Sequence, residues 1–357
     1  MKTYRNLFVQ MLDSEVIEFC IKRASKGKHK RKAVQRVLNN IDKTIQDIIK
    51  IITDPFFIPR KTIPHIIKDK NNGKDRAIEK PAFFPEQIIH HLIIYPFEEV
   101  LFHGMYEQIY GCLPKYKGHN FGMHSAIKQL QKWLQTGKEL YVVEADIHHA
   151  YASVDIKILK EQLKKVIKDE QWLRLCEKIL CNEQGLSLGY YISPWFFNFY
   201  LKNFDHFVAK YSNIKYLRFA DNLFLVSSDK EKLKKCLEDI KEYLQDNLKL
   251  QLNKQTQLFR FEYSFHKGRA VNSVGVIIHN NRICLRKRLL RKTRRKITKV
   301  KKKKKITWHD GASILSRLAW IFFTDTYQYY KKYLNINIRA LKNKISKHSK
   351  SIMHSHE

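Results

Sequence analysis

Acidic residues are scarce: 34 Asp and Glu face 68 Lys and Arg in a chain of 357, a formal net charge of +34. Charges further apart than about 8 Å are screened at physiological ionic strength, yet an evenly spread excess of this size still opposes compaction. It points to a polyanionic partner, nucleic acid ahead of an anionic membrane surface. Long apolar runs are missing too. No stretch of about 18 residues lacks charge or polarity, which excludes a transmembrane helix. The start, MKTYRNLFVQMLDSE, has no uninterrupted apolar stretch followed by a small-residue cleavage site. A soluble, cytoplasmic protein with no membrane partner is expected. Cysteine is sparse, at 20, 112, 176, 181, 236 and 284, without a Cys-x-x-Cys pair or the Cys/His spacing of a zinc site. Reduced, mostly buried thiols are expected, and the histidines at 90, 91, 148, 149, 348, 354 and 356 are read as core or surface residues. At 44% hydrophobic and 12% aromatic the chain is too apolar for a disordered tail, and its length suggests two or three lobes.

Periodicity divides the chain. Val16, Cys20 and Ile21, then Ile45, Ile48, Ile49 and Ile52, recur at helical spacing, so residues 1–60 read as a helical extension ended by Pro55 and Pro59. In 61–80 two apolar runs flank Asn71-Asn72-Gly73-Lys74, a basic β-hairpin pattern. A helical stretch follows to about 107, and Tyr110-Gly111 falls in a loop. LYVVEADI at 140–147 is a buried strand by length and β-branching. IKYLRF and LFLVS flank Ala220-Asp221-Asn222 as a second hairpin, whose tip residues tolerate positive φ. A helix over 229–246 follows, opened by a capping box from Ser228 to Glu231, and Asp155 reads as the N-cap of the helix after it. Residues 286–305 hold 14 Lys or Arg and no acid. Leu289, Leu290, Thr293, Ile297 and Val300 make that segment an amphipathic helix with a cationic face suited to phosphates. Trp320, Phe322, Phe323, Tyr327, Tyr329 and Tyr330 follow and are expected to form core around it.

Asp146 ends a buried strand and Asp221 sits at a hairpin tip 75 residues later. Two carboxylates brought to one sheet edge repel unless cations bridge them, which suggests a Mg²⁺ site for phosphoryl transfer. Spacing alone favours a structural reading, with Asp221 a turn former and Asp146 a strand-end cap.

The surrounding residues reverse that preference. Asp146-Ile-His-His-Ala-Tyr-Ala-Ser-Val-Asp155, Gly185-Leu-Ser-Leu-Gly-Tyr-Tyr-Ile-Ser-Pro194 and Phe219-Ala-Asp-Asn222 stand in order, preceded by Arg76-Ala-Ile-Glu-Lys-Pro81 and followed by a hairpin over 271–288 similar to a primer grip. Over about 60–330 the chain resembles the reverse transcriptases, in character those of bacterial group II intron-like retroelements, diversity-generating retroelements, abortive infection and phage defence. The resemblance implies an α+β right-hand polymerase: a helical extension at 1–60, fingers at 61–140 with 156–184, a palm of antiparallel sheet and helices at 141–155 and 185–283, a basic helical thumb at 284–346 and a tail at 347–357. It implies RNA-directed DNA polymerisation, a nucleotidyltransferase activity. Asp146 and Asp221 would hold two Mg²⁺ ions, with Mn²⁺ as a substitute, and Asn222 would complete the catalytic set. Lys74, Arg76, Tyr151, Leu188 and Gly189 would bind the nucleotide, Tyr151 excluding a 2′-hydroxyl. Ser193, Pro194, Arg286, Arg288, Arg291, Lys292 and Arg295 would contact nucleic acid. Implied partners are an RNA template, a DNA or protein primer, deoxynucleoside triphosphates and a dedicated non-coding RNA.

Three departures stand out. Asn222 replaces the second carboxylate of Tyr-x-Asp-Asp, Leu188 replaces a Gln, and the palm lysine is out of register, with Lys254 nearest. Two alternatives therefore stand beside template-directed synthesis: untemplated or protein-primed polymerisation, and a catalytically silent nucleic-acid-binding subunit.

Overall fold

The computed structural model describes residues 2–68, 75–180, 185–262, 267–273, 275–334 and 336–353. Helices and mostly antiparallel strands are combined, in keeping with the α+β expectation. The chain forms two compact units, one of residues 1–122, 145–224 and 234–256, the other of 123–144, 225–233 and 257–357. Among the described residues no helix is long and apolar enough to cross a membrane.

The first unit begins with short helices, of which Ser14–Ser25 buries Cys20 and Ile21 and Ile41–Thr53 buries Ile45, Ile48 and Ile52, while Val16 and Ile49 are half-buried. Asp13 caps the former through the Glu15 amide, at 2.8 Å. Its central element is the helix Ile88–Phe102, most of whose residues are buried, while Glu99 near its end is exposed and paired with Lys2. Phe97 on it packs against Trp172, Phe196 and Phe199, with ring centroids 5.2–5.6 Å apart. Strands β1 (Pro64–Lys68) and β2 (Asp75–Glu79) pair antiparallel, as the apolar runs require. The tip between them, with Lys70, lies outside the described residues.

Strand β3 is Ile109–Tyr110, so Tyr110 belongs to a sheet where the sequence suggested a loop. It pairs parallel with β5 (Lys215–Phe219). Strand β4 is Tyr141–Asp146 and β6 is Asn222–Ser227, and the strands are ordered β3-β5-β6-β4. Asp155 caps the helix Ile156–Val166 as expected, accepting from the amides of Lys157 and Ile158. The helix Lys230–Leu248 is capped by Asp229, which accepts from the Lys232 amide at 3.0 Å, and not by Ser228. A carboxylate one residue nearer the helix displaces the hydroxyl.

In the second unit the first four residues of β4 pair antiparallel with β7 (Gln257–Arg260). Strands β8 (Val271–Ser273), β9 (Val276–Ile278) and β10 (Ile283–Leu285) form a three-stranded antiparallel sheet in place of the simple hairpin expected. The helices Lys287–Lys301, Trp308–Phe323 and Ile338–Met353 follow. Their core is aliphatic: Ile297, Val300, Ile314, Leu318, Ile321 and Leu341 are buried, whereas Phe322 and Tyr327 are exposed. Of the other aromatics Tyr330 is buried and Trp320, Phe323 and Tyr329 are half-buried, so the cluster contributes to this core only in part. Cys20, Cys176 and Cys236 are buried free thiols, Cys284 is half-buried and Cys112 is exposed, while Cys181, His354 and His356 lie outside the described residues.

Candidate active site

Asp146 is the last residue of β4, and Asp221 is the second residue of the two-residue turn joining β5 to β6. Backbone bonds hold both in place: the Ile147 amide donates to the Asp221 carbonyl at 3.1 Å, and the Asn253 amide to the Asp146 carbonyl at 2.6 Å. Their carboxyl groups come within hydrogen-bonding reach of each other. Asn222 Nδ2 donates to Asp221 Oδ1 at 2.9 Å. Burial raises the Asp221 pKa above the usual carboxylate range, outweighing hydrogen bonds from its own backbone, Asn222 and Asp146 and the attraction of Arg76. The exposed cation Arg76 of β2 is thus close enough to act on this carboxylate. Lys74 lies outside the described residues.

Tyr151 stacks on Phe197, ring centroids 5.0 Å apart, and its hydroxyl is within hydrogen-bonding reach of the Cys112 thiol. Burial pushes the Tyr151 pKa up, so the phenol stays neutral. The segment Gly185–Gly189 runs between this ring and strand β2. The Leu186 amide donates to the Tyr151 carbonyl at 2.8 Å, and the Glu79 amide to the Leu188 carbonyl at 2.7 Å. Both glycines have positive φ, and a Cβ on either would fall well under 3.0 Å from backbone oxygen, of Ala152 for Gly185 and of Glu79 for Gly189. The Leu188 side chain is exposed. Ser193 is buried and donates through Oγ to the Ser187 carbonyl at 2.7 Å, so its contact is with this loop and not with solvent. Pro194 occupies the first turn of the helix Ser193–Tyr200.

Behind the turn lies a group of residues that sequence reasoning did not connect. Arg218, fully buried, donates through Nε and Nη2 to the two oxygens of Asp205 at 2.8 and 2.7 Å. Its Nη1 donates to Asn198 Oδ1 at 3.0 Å and to the Ala220 carbonyl at 2.9 Å. Tyr216 donates to the same Asp205 at 2.8 Å. The signal was present in Tyr-Leu-Arg-Phe, since an arginine inside a buried apolar strand requires a buried anion. The anion, Asp205, lies 13 residues away along the chain, too far for spacing to reveal the pair.

The family model "Reverse transcriptase (RNA-dependent DNA polymerase)" matches residues 102–308. The chain belongs to the reverse transcriptase family. The matched span takes in Asp146, Tyr151, Gly189 and Asp221 but stops short of Arg76. No curated protein matches the chain. Among solved structures it is similar to apo telomerase from Candida tropicalis truncated from its C-terminal domain, at 14% identity and TM-score 0.43 over 63% of this chain and 54% of that one. It is also similar to telomerase from Candida albicans in complex with a fragment of telomeric RNA, at 12% identity and TM-score 0.43 over 69% of this chain and 49% of that one. The chain thus spans about half the length of these telomerases.

The second unit of this reverse transcriptase carries the cationic helix. Thr293, Ile297 and Val300 are buried, while Arg288, Arg291 and Arg295 are exposed and Lys292 is half-buried. Arg291, Arg294, Arg295, Lys299 and Lys302 line an open depression on its outer side. Arg286 is engaged within the protein, donating to Asn272 Oδ1 and to the Asn272 carbonyl, both at 2.7 Å. Asp310 accepts from Lys296 at 3.0 Å and Lys303 at 2.7 Å and closes a capping box with Thr307, which holds its carboxyl well below the usual range.

Reverse transcriptases generally use divalent metals, and the donors here suit one. Two carboxylates meeting in a partly buried space, with an amide oxygen beside them, are hard ligands of the kind Mg²⁺ prefers. Among the described residues no cluster of three or more His, Cys, Asp or Glu is arranged around a metal. The donor set therefore rests on Asp146, Asp221 and Asn222.

Proposed function

We propose that this chain is an RNA-directed DNA polymerase in which Asp146 and Asp221 carry the nucleotidyl transfer. One observation carries the reading: carboxylates 75 residues apart in sequence meet at a strand end and a tight turn, within the field of Arg76. A primer 3′-hydroxyl would attack the α-phosphate of a deoxynucleotide, forming a P–O bond as pyrophosphate leaves. Divalent ions bound by the two aspartates would lower the pKa of the attacking hydroxyl and neutralise charge on the leaving group. Arg76 would supply positive charge for the triphosphate, and the glycines of the Gly185–Gly189 segment let it pack closely on the backbone of Ala152 and Glu79 beside Tyr151. The cationic helix suits duplex phosphates, which fits RNA template and primer as partners. A bacterial or phage retroelement or defence role, with a dedicated non-coding RNA, completes the proposal on the strength of the motif resemblance.

Primer extension on an RNA template, with labelled deoxynucleotides and Mg²⁺ or Mn²⁺, tests it. Template-dependent product is expected. Product without template favours the untemplated alternative. Tight RNA binding with no product under either metal sinks the polymerase reading and leaves a silent binding subunit. One observation gives that second reading weight: the Asn222 amide occupies an oxygen of Asp221.

Two variants probe the site. Tyr151→Ala removes a ring held by Phe197 and Cys112, and ribonucleotide use should rise about 10- to 100-fold relative to deoxynucleotide, measured by competing kcat/KM values. An unchanged ratio would mean that Tyr151 does not face the sugar. Asn222→Asp replaces a donor to Asp221 with a third negative charge. Thermal stability without divalent ions should fall and recover on adding Mg²⁺, while the Mg²⁺ concentration giving half-maximal extension drops. Melting that ignores Mg²⁺ in this variant would remove Asn222 from the proposed metal site.

A further inference from the structure

We propose that Arg218 is a positioning residue that sets the conformation of the Asp221 turn, in addition to balancing the buried charge of Asp205. The inference rests on the reading of Asp221 as a catalytic residue. Ala220, the residue before Asp221, has φ +53°, a left-handed conformation unfavourable for a residue with a Cβ. Such a residue persists where its surroundings over-determine it. Both backbone groups of Ala220 are held: its amide donates to the Tyr110 carbonyl at 2.9 Å, and its carbonyl accepts from Arg218 Nη1 at 2.9 Å. Gly111 admits this approach, since a Cβ there would fall 2.8 Å from the Ala220 nitrogen. Arg218 has no slack with which to follow a moving turn. Its other donors are fixed by Asp205, and Asn198, which it also contacts, donates from Nδ2 to the Pro194 carbonyl at 2.9 Å. One planar guanidinium thus ties the turn to the helices Ser193–Tyr200 and Lys202–Ala209.

Arg218→Lys keeps a positive charge for Asp205 but loses the fork that reaches Ala220 at the same time. Primer extension with this variant should show kcat lowered about 100-fold, with KM for deoxynucleotide and Kd for primer-template within about 2-fold of the parent. A merely structural role would lower the folded fraction and leave turnover per folded molecule unchanged. Should Arg218→Lys not fold, the triple variant Arg218→Met, Asp205→Leu, Tyr216→Phe replaces the polar cluster with apolar groups, a change proteins often tolerate. The same loss of kcat at unchanged KM is expected of it. Parental kcat in a folded variant, a matched weakening of KM and Kd, or failure of both variants to fold overturns the proposal. Asp221→Asn run in parallel separates the two levels. If it too retains parental activity, the catalytic reading of Asp221 fails; if it alone is inactive, only the role of Arg218 fails.

Discussion

Asp221→Asn is expected to lower primer extension on the order of 10³-fold, and Asp146→Asn to do the same, with primer-template affinity unchanged within about threefold. Each substitution keeps the shape of the side chain and removes one negative charge. Asn222 offers no replacement for the lost charge, because its side chain is a neutral amide. The two carboxyl groups lie within hydrogen-bonding reach and would act on the same ions, so their effects should not add. The double variant is predicted to be no slower than the worse single one. Single-turnover rates with saturating primer-template decide the matter. A rate within tenfold of the parent for either single variant would remove that aspartate from the chemistry, and additive losses would argue for two separate roles.

The largest loss of stability is expected from Asp205→Ala. Arg218 has no exposed surface, and in this variant its charge would be left buried with only Asn198 and a backbone carbonyl for partners. Removing one member of a buried pair costs about 3–5 kcal/mol, because the remaining ion is neither solvated nor neutralised. Tyr216, fully buried, would also lose its acceptor. Chemical denaturation followed by tryptophan fluorescence measures this directly. Glu177→Ala is the comparison: its partner Lys164 lies 3.1 Å away with both side chains substantially exposed, and the expected change is under about 1 kcal/mol. Equal losses from the two substitutions would show that burial of the Asp205 pair has been misjudged.

What could be read in the sequence was local or patterned. Asp155 announced its helix because a cap and its amides are neighbours, and the two hairpins announced themselves by apolar runs around turn residues. The cap at Asp229 was displaced by one residue because Ser228 also fits the pattern, and only geometry shows which oxygen reaches the Lys232 amide. The candidate carboxylates were legible because their motifs are short. Their surroundings were not: Arg218 finds its anion 13 residues away, Tyr110 finds β5 over 100 residues on, and Phe197 meets Tyr151 across a loop. Such pairings depend on how the chain is folded back, which periodicity does not encode. Of the aromatics at 320–330 only Tyr330 is buried, for a related reason. Helical spacing selects a face, but the face that is buried carries Ile314, Leu318 and Ile321.

The internal engagements of the basic segment limit how many counterions it can displace. Of its fourteen cations, Arg286 is tied to Asn272, and Lys296 and Lys303 to Asp310; fourteen less three leaves at most eleven for phosphates. Each neutralised phosphate contributes about −0.9 to the slope of log K against log salt on duplex DNA, so this segment supports a slope no steeper than about −10. Asp310→Asn would release two lysines and steepen it, making one buried acid a governor of how strongly affinity depends on ionic strength.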